Sequence, residues 1–400
     1  MRIPMNILFY RYGNICEPAA IETFQSMGLS VTEECTEITN KKLSQAEILV
    51  LVEAHLKKEQ PVFVFSINFF PVIAELCHIY RILYLCWTVD SPVMELYSTA
   101  IQYDTNRIFL FDYAQYQHFN KYNSKNTFYL PLAADICHYD EITNGITEKD
   151  RRDYSCDISF VGSLYNEKDP LQKTDNLSEY AKGCIDGITE ASLKLYGYYP
   201  AEDAVSDRLI SEFRERIPNY LNLPNPVADY DRYLISHYYL GYHIASAERI
   251  RTLNALAEHF NVDLFTRSDS SALSGVHIHD GIKTLTEMPK VFHLSKINLN
   301  MTIKPIQTGL PLRIFDIMGC GGFVMTNYQP ELTEYFEIGS DLEAYSGIEE
   351  LIEKCAYYLS HEQEREKIAL RGYEKVCSEH TYMHRAQAMI KTVLDASEQS

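Results

Sequence analysis

Three features of this 400-residue sequence predict an α/β protein made of two Rossmann-like domains facing each other, the second interrupted by a helical insert. Short apolar runs alternate with stretches of helical spacing through both halves. The runs are apolar throughout, without the every-second-residue polarity of a one-sided sheet, so they fit parallel strands covered on both faces. A tyrosine-rich stretch with helical pattern, at about 165–245, separates one strand of the second half from the helix that should follow it.

The elements follow in order. "MNILFY" (5–10) is a strand, and "EPAAIETFQSMG" (17–28) is a helix stopped by Gly28. "LSQAEILVLVEAHLKK" (43–58) is a helix, "PVFVFS" (61–66) a strand, "PVIAELCHIY" (71–80) a helix and "RILYLCW" (81–87) a strand. "RIFLFD" (107–112) and "NTFYLPLA" (126–133) complete the first series. The polar segment "NGITEKDRRDYSCD" (144–157) reads as an interdomain linker, which places the first domain at 1–148 and the second at 149–380. The second series has strands at 157–163, 261–267, 296–303 and 321–327, with a helix at 246–260. Ser346–Glu349 and Ser360–Gln363 fit capping boxes ahead of helices. "YMHRAQAMIKTVLDA" (382–396) is a closing helix, expected to cross back to the first domain within 381–400.

Composition narrows the function. Lys plus Arg number 36 and Asp plus Glu 55, a net charge of −19. No basic run exceeds the pairs Lys41-Lys42, Lys57-Lys58 and Arg151-Arg152, so nucleic acid is not an expected partner. No apolar stretch approaches the roughly 20 residues of a membrane helix, and the start of the chain lacks the pattern of a signal peptide. Ten scattered cysteines without a CxxC read as core residues of a protein in a reducing compartment, here taken as the cytoplasm. A dinucleotide oxidoreductase is excluded because "YRYGN", not GxGxxG, follows the first strand.

The segment "GLPLRIFDIMGCGGFVMTN" (309–327) carries the chemistry. Pro311 suits a first helical position. The N–H groups of Leu312, Arg313 and Ile314 would then form an anion site at the carboxyl edge of a parallel sheet. Arg313 opposes the helix dipole unless an anion such as a diphosphate is bound, which a guanidinium can grip with two donors. Asp316, one turn on, suits the vicinal hydroxyls of a ribose, and Gly321-Gly322 permit close backbone approach. The competing reading is an Arg313–Asp316 pair on a solvated face with Gly-Gly as a helix stop. "FVGSLYNEK" adds a second phosphate-suited strand end, with Gly162, Ser163 and Lys168.

Together these segments resemble GT-B-fold glycosyltransferases, of the group that includes CgeB-like spore-maturation proteins. The resemblance extends to "YLCWTVDSP" (84–92), "MPKVFHLSKINLNMT" (288–302) and "HTYMHR" (380–385). The broad retaining group carries two glutamates with seven residues between them. By that spacing the second acid falls on Asp316, implying a ribose contact, and the first on Thr308, which lacks the charge. The family's phosphate motif places its glycine and lysine on Gly162 and Lys168, with Ser163 where an arginine would stand and Arg313 as the replacement cation. The resemblance implies a nucleotide diphosphate-sugar donor, and with the helix-start reading above it gives as donor-binding residues Gly162, Ser163, Lys168, Thr308, Gly309, Leu312, Arg313, Asp316, Gly321 and Gly322. It also implies an acceptor hydroxyl on a glycan, protein or small molecule, chemistry in the interdomain cleft, and no cofactor or metal. The loss of the first acid leaves open a non-catalytic module that binds a nucleotide-sugar or a protein.

Three other groups have alternatives. Asp90, at the end of an apolar strand, is a candidate base for the acceptor hydroxyl, or a helix cap. His277 and His279 are a possible metal pair, or part of a surface loop. His380 and His384 share a helix spacing and read as packing.

Overall fold

The apolar runs build two six-stranded sheets, parallel throughout. In this computed structural model, which describes residues 5–174 and 176–398, the first sheet is ordered β2-β1-β3-β4-β5-β6. Its strands are β1 (Asn6–Tyr10), β2 (Ser30–Glu34), β3 (Phe63–Ile67), β4 (Leu83–Trp87), β5 (Asn106–Leu110) and β6 (Thr127–Tyr129). The second is ordered β12-β11-β10-β7-β8-β9, from β7 (Ile158–Val161), β8 (Val262–Phe265), β9 (His277–His279), β10 (Ile297–Asn300), β11 (Val324–Asn327) and β12 (Glu343–Tyr345). The expected α/β class therefore holds. Strand β3 is buried along its whole length, and Phe65 packs its ring 5.0 Å from both Phe9 and Phe24. Each such buried ring contributes about 1.5–3 kcal/mol of transfer free energy.

In both sheets the chain changes direction beside the first strand. From β1 it goes out to β2 and returns on the other side at β3; from β7 it goes out to β8 and β9 and returns at β10. Ligands of open parallel sheets bind at the carboxyl ends of the strands at such a reversal. In this chain those positions are the ends of β1 and β3, and the ends of β7 and β10.

Contacts divide the chain after Leu132, not at 148. Residues 223–228 and those from Thr381 onward group with the first unit. The segment 144–157 is not a bare linker: it contains the helix Glu148–Tyr154. Its polar residues are there to start a helix, because Thr147 and Asp150 form a capping box and Lys290 pairs with Asp150 at 2.8 Å. The helix Tyr382–Glu398 lays Tyr382 edge-on to Trp87 at 5.7 Å, and Arg385 donates to the carbonyls of Pro131 and Leu132. Residues 399 and 400 of the expected closing element lie outside the described residues.

The insert is helical, with helices Glu179–Leu193 and Asp207–Arg216 and a run from Tyr230 to Ala257. Within that run Leu234–Leu240 is wound as a π-helix. Gly241 follows it because a Cβ there would sit 2.4 Å from Pro305 Cγ. Neither expected capping box at the end of the chain forms. Gly347 is the N-cap of Ile348–Ser360, and Ser360 bonds back to the carbonyls of Ala356 and Tyr357. Ser44 and Glu47 make a box instead.

Two glycines make opposite demands. A Cβ on Gly322 would lie 2.5 Å from the Phe292 carbonyl oxygen and 2.8 Å from Asn298 Nδ2, whereas Gly183, inside Glu179–Leu193, has open space. Gly322→Ala is expected to lose about 1–3 kcal/mol through overpacking. Gly183→Ala is expected to gain about 0.5–1 kcal/mol from helix propensity. Urea unfolding of the two variants checks the pair.

Candidate active site

Arg249 occupies the reversal point of the second sheet. It projects from the helix Gly241–Ala257, and its two terminal nitrogens donate to the carbonyls of Ser163, just past β7 (2.5 Å), and Met301, just past β10 (2.9 Å). Its guanidinium lies 4.5 Å from the Tyr165 ring centre and 5.2 Å from that of Phe160. Among the described residues no carboxylate pairs with it, and its buried Nε has no hydrogen-bond partner. The neighbouring Glu248 is paired instead with the buried Lys304 at 3.3 Å. Burial, assisted by the nearby Arg313, holds the Arg249 pKa below its ordinary value. Two cations are thus held at one sheet edge, one of them without a directly paired carboxylate, which is an arrangement an anionic ligand can complete.

Arg313 stands at the start of the helix Leu312–Gly319. Pro311 is its N-cap, one position earlier than expected, because its ψ of 155° is extended. No side chain caps this start. The Ile314 N–H is taken by the Pro311 carbonyl at 3.1 Å, so the anion-facing donors reduce to those of Leu312 and Arg313. The guanidinium rests over Phe292 at 5.1 Å and reaches Asp316 at 3.3 Å. The Arg313–Asp316 pair therefore exists, but not on a solvated face: Asp316 is buried and also accepts from the Tyr139 hydroxyl at 2.6 Å. As found, Asp316 anchors Arg313 and Tyr139, and its oxygens are engaged by protein.

The other expected donor residues divide into two sets. Gly162 and Ser163 sit at the end of β7 beside Arg249. A Cβ on Gly162 would make only ordinary contacts, so its backbone does not require glycine. The Ser163 hydroxyl donates to Glu167 at 2.6 Å and accepts from the Tyr165 N–H at 2.8 Å. Lys168 is exposed and lies over the Tyr165 ring at 4.9 Å. Thr308 donates to Glu331 at 2.8 Å, and Gly309 is buried beside it in the chain. Gly321 and Gly322 are not at this edge. They leave the far end of the helix that Arg313 begins, at the amino ends of the strands, where Gly321 has φ +71° and Gly322 fits against Phe292. Their role is a helix exit.

In the first sheet, the reversal point holds Tyr12 and Asn68. Asn68, in left-handed conformation just past β3, donates to the Tyr12 hydroxyl (2.8 Å) and to Asp90 (2.6 Å), and accepts from the Val89 N–H (3.0 Å). Asp90 is exposed past the end of β4 and is aimed by Asn68; the short helix that follows, Met94–Tyr97, has Val93 as its N-cap. Burial, and after it the Asp90 charge, pushes the Tyr12 phenol pKa up.

His277 and His279 lie on an edge strand, not in a loop, with His279 2.7 Å from Asp263 and His277 3.7 Å from it. No group of three metal-ligating side chains occurs among the described residues. His380 packs among Phe315, Phe336 and Tyr335, while His384 bonds Thr381.

Residues 248–391, less than half of the chain, match the family model described as glycosyl transferase-like. No curated protein matches the sequence. Three solved structures are similar. Anabaena Alr3699/HepE in complex with UDP and glucose has 10% identity over 98% of this chain and 100% of that one, with a TM-score of 0.53. The sucrose-phosphate synthase of Thermosynechococcus elongatus has 10% identity over 99% and 100%, with a TM-score of 0.57. The UDP-GlcNAc 2-epimerase of Neisseria meningitidis, bound to UDP-GlcNAc, has 10% identity over 98% and 100%, with a TM-score of 0.50. At these identities the likeness is one of fold, and that fold is the α/β GT-B class.

Burial pushes the Asp316 carboxyl above its usual pKa, with Arg313 opposing. The folded state then prefers the protonated acid, so this residue's stabilising contribution is full below the unfolded pKa and is lost as pH rises through the raised folded value. The Tm of the native protein minus that of Asp316→Asn is expected to fall as pH rises from about 4. A difference that grows with pH would show that Arg313 outweighs burial.

Proposed function

We propose that this protein is a glycosyltransferase that moves a sugar from a nucleoside diphosphate-sugar to an acceptor hydroxyl. Arg249 carries the reading, as a cation without a carboxylate partner fixed across the reversal point of the second sheet. Arg313 and the uncapped helix start add positive charge at the same edge. The region matching the glycosyl transferase-like model, 248–391, includes both arginines. Alr3699/HepE and the epimerase, which share the fold, are described with UDP or a UDP-sugar bound, so a uridine diphosphate sugar is the first donor to test.

The chemistry follows from charge. The bond from the anomeric carbon to the diphosphate oxygen breaks, and its electron pair stays with the diphosphate. The acceptor oxygen bonds the anomeric carbon and gives up its proton, for which Asp90 is the proposed base. The negative charge that grows on the leaving group meets donors already in place, so they bind the transition state better than the ground state. Arg249 spends two of its four terminal N–H groups on carbonyls and its Nε is buried, which leaves two terminal N–H groups for phosphate oxygens. Asp316 keeps Arg313 in position, and a ribose contact would require it to release Tyr139. Ten unpaired cysteines accord with the cytoplasm as the site of action. A binding-only module is the second reading, favoured by Thr308 in place of an acid.

Arg313→Ala and Arg249→Gln are each expected to lower kcat with a UDP-sugar by about a hundredfold or more, the cost of one preorganised donor. Asp90→Asn is expected to slow transfer while UDP affinity stays unchanged. Normal turnover in Arg249→Gln would overturn the site; saturable UDP-sugar binding without any turnover in the native protein would select the binding module. Because protein cations meet the diphosphate, turnover is also expected to persist in excess chelator. Loss of activity restored by a divalent ion would refute that part.

A further inference from the structure

A cavity of about 520 Å³ opens in the insert, between the segment 167–174, the loop around Asn219 and the π-helical turn with its following residues. Its size is within the range of small-molecule sites, about 300–1,000 Å³. Tyr238, Tyr239 and Tyr242 line it and belong to a longer chain of tyrosine rings. Tyr242 lies 5.2 Å from Tyr238, which lies 5.2 Å from Tyr239, and Tyr239 stacks on Tyr220 at 6.0 Å with the planes 6° apart. At the other end Tyr242 lies 5.3 Å from Tyr165, the ring that Arg249 and Lys168 both cover. Two rings, those of Tyr165 and Tyr242, thus separate the cavity's Tyr238 from Arg249.

The segment that carries Tyr238 and Tyr239 departs from ordinary helical winding. The π-helix Leu234–Leu240 gives up the ordinary helical ladder, and its neighbours are stabilised locally: Ser236 Oγ donates to the carbonyls of Arg232 and Tyr233, and the Tyr199 hydroxyl donates to the Ser236 carbonyl. Such turns are rare and concentrate at functional sites. Tyr238 and Tyr242, four residues apart across this turn, are both partly exposed, whereas Tyr239 is buried.

The lining selects the ligand class. Among the described lining residues Glu167 and Asp169 outnumber Lys168, which disfavours an anion such as a second phosphate. Aromatic faces pack the C–H face of a sugar ring, while Glu167, Lys168 and Asn219, all exposed, offer acceptors and donors to its hydroxyls. We propose that this cavity binds a neutral pyranose unit of a glycan. The assignment of that glycan as the acceptor rests on the transferase reading; the binding itself does not.

The test measures binding of maltotetraose and chitotetraose, two neutral probes of different ring substitution, to the full chain by calorimetry, with UDP titrated in parallel. Saturable binding of at least one probe is expected. Tyr238→Ala is expected to weaken it at least tenfold, Tyr238→Phe to retain it, and UDP affinity to stay constant in both. Tyr238→Leu, which keeps most of the volume without the aromatic face, decides the matter if the alanine variant does not fold. No saturable binding of either probe, or undiminished binding by the variants lacking the ring, overturns the proposal. Glycan binding without UDP-sugar turnover leaves it standing and removes the transferase reading; turnover without glycan binding does the reverse.

Discussion

The second unit is organised around one guanidinium bridging two strand ends. Carbonyls past adjacent parallel strands repel a phosphate, and at the end of β7 and the end of β10 they are turned to a donor instead. By binding Ser163 and Met301, Arg249 converts an edge lined with carbonyl oxygens into an edge with a positive centre. The energetic cost is burial of a charge without a carboxylate, a cost that a ligand anion would remove. Several nearby carboxylates are bonded to other partners rather than to this guanidinium. Lys304 draws off Glu248, Ser163 occupies Glu167, and Asp316 is engaged by Tyr139 and Arg313.

The first sheet meets the same constraint with neutral groups. Its reversal point carries an asparagine in left-handed conformation, a conformation asparagine tolerates better than most side chains. Asn68 uses both ends of its amide, accepting from Val89 and donating to Tyr12 and Asp90. One edge thus carries two arginines and the other aims a single carboxylate, and both derive from the same topology.

Buried parallel strands were readable from sequence because burial on both faces leaves a continuous apolar run, as in "FVFSI" and "LYLCW". Strand β2, "SVTEE", was missed because it is an edge strand with little burial, and β9 is only three residues long. The linker reading of 144–157 did not see the helix there, because the Thr147-to-Asp150 spacing encodes a helix start within a polar stretch. Arg313 was legible from its conflict with the helix dipole. Arg249 was not: in "SAERIRTLNALAEHF" it has the spacing of a solvated helix face, and only the fold brings two carbonyls from 86 and 52 residues away to it. The Gly-Gly pair was misplaced by its nearness in sequence to Arg313, although eight helical residues carry the chain about 12 Å along the axis.

The helix Tyr382–Glu398 belongs with the first unit although it follows the second in the sequence. Until it emerges during synthesis, Trp87 lacks its edge-on partner Tyr382, and the carbonyls of Pro131 and Leu132 lack Arg385. The amino-terminal unit is therefore begun first on the ribosome and completed after the second unit has already been translated. A chain interrupted before residue 382 would carry a second unit of nearly full sequence and a first unit with an uncovered aromatic surface, the kind of species that chaperones and proteases recognise.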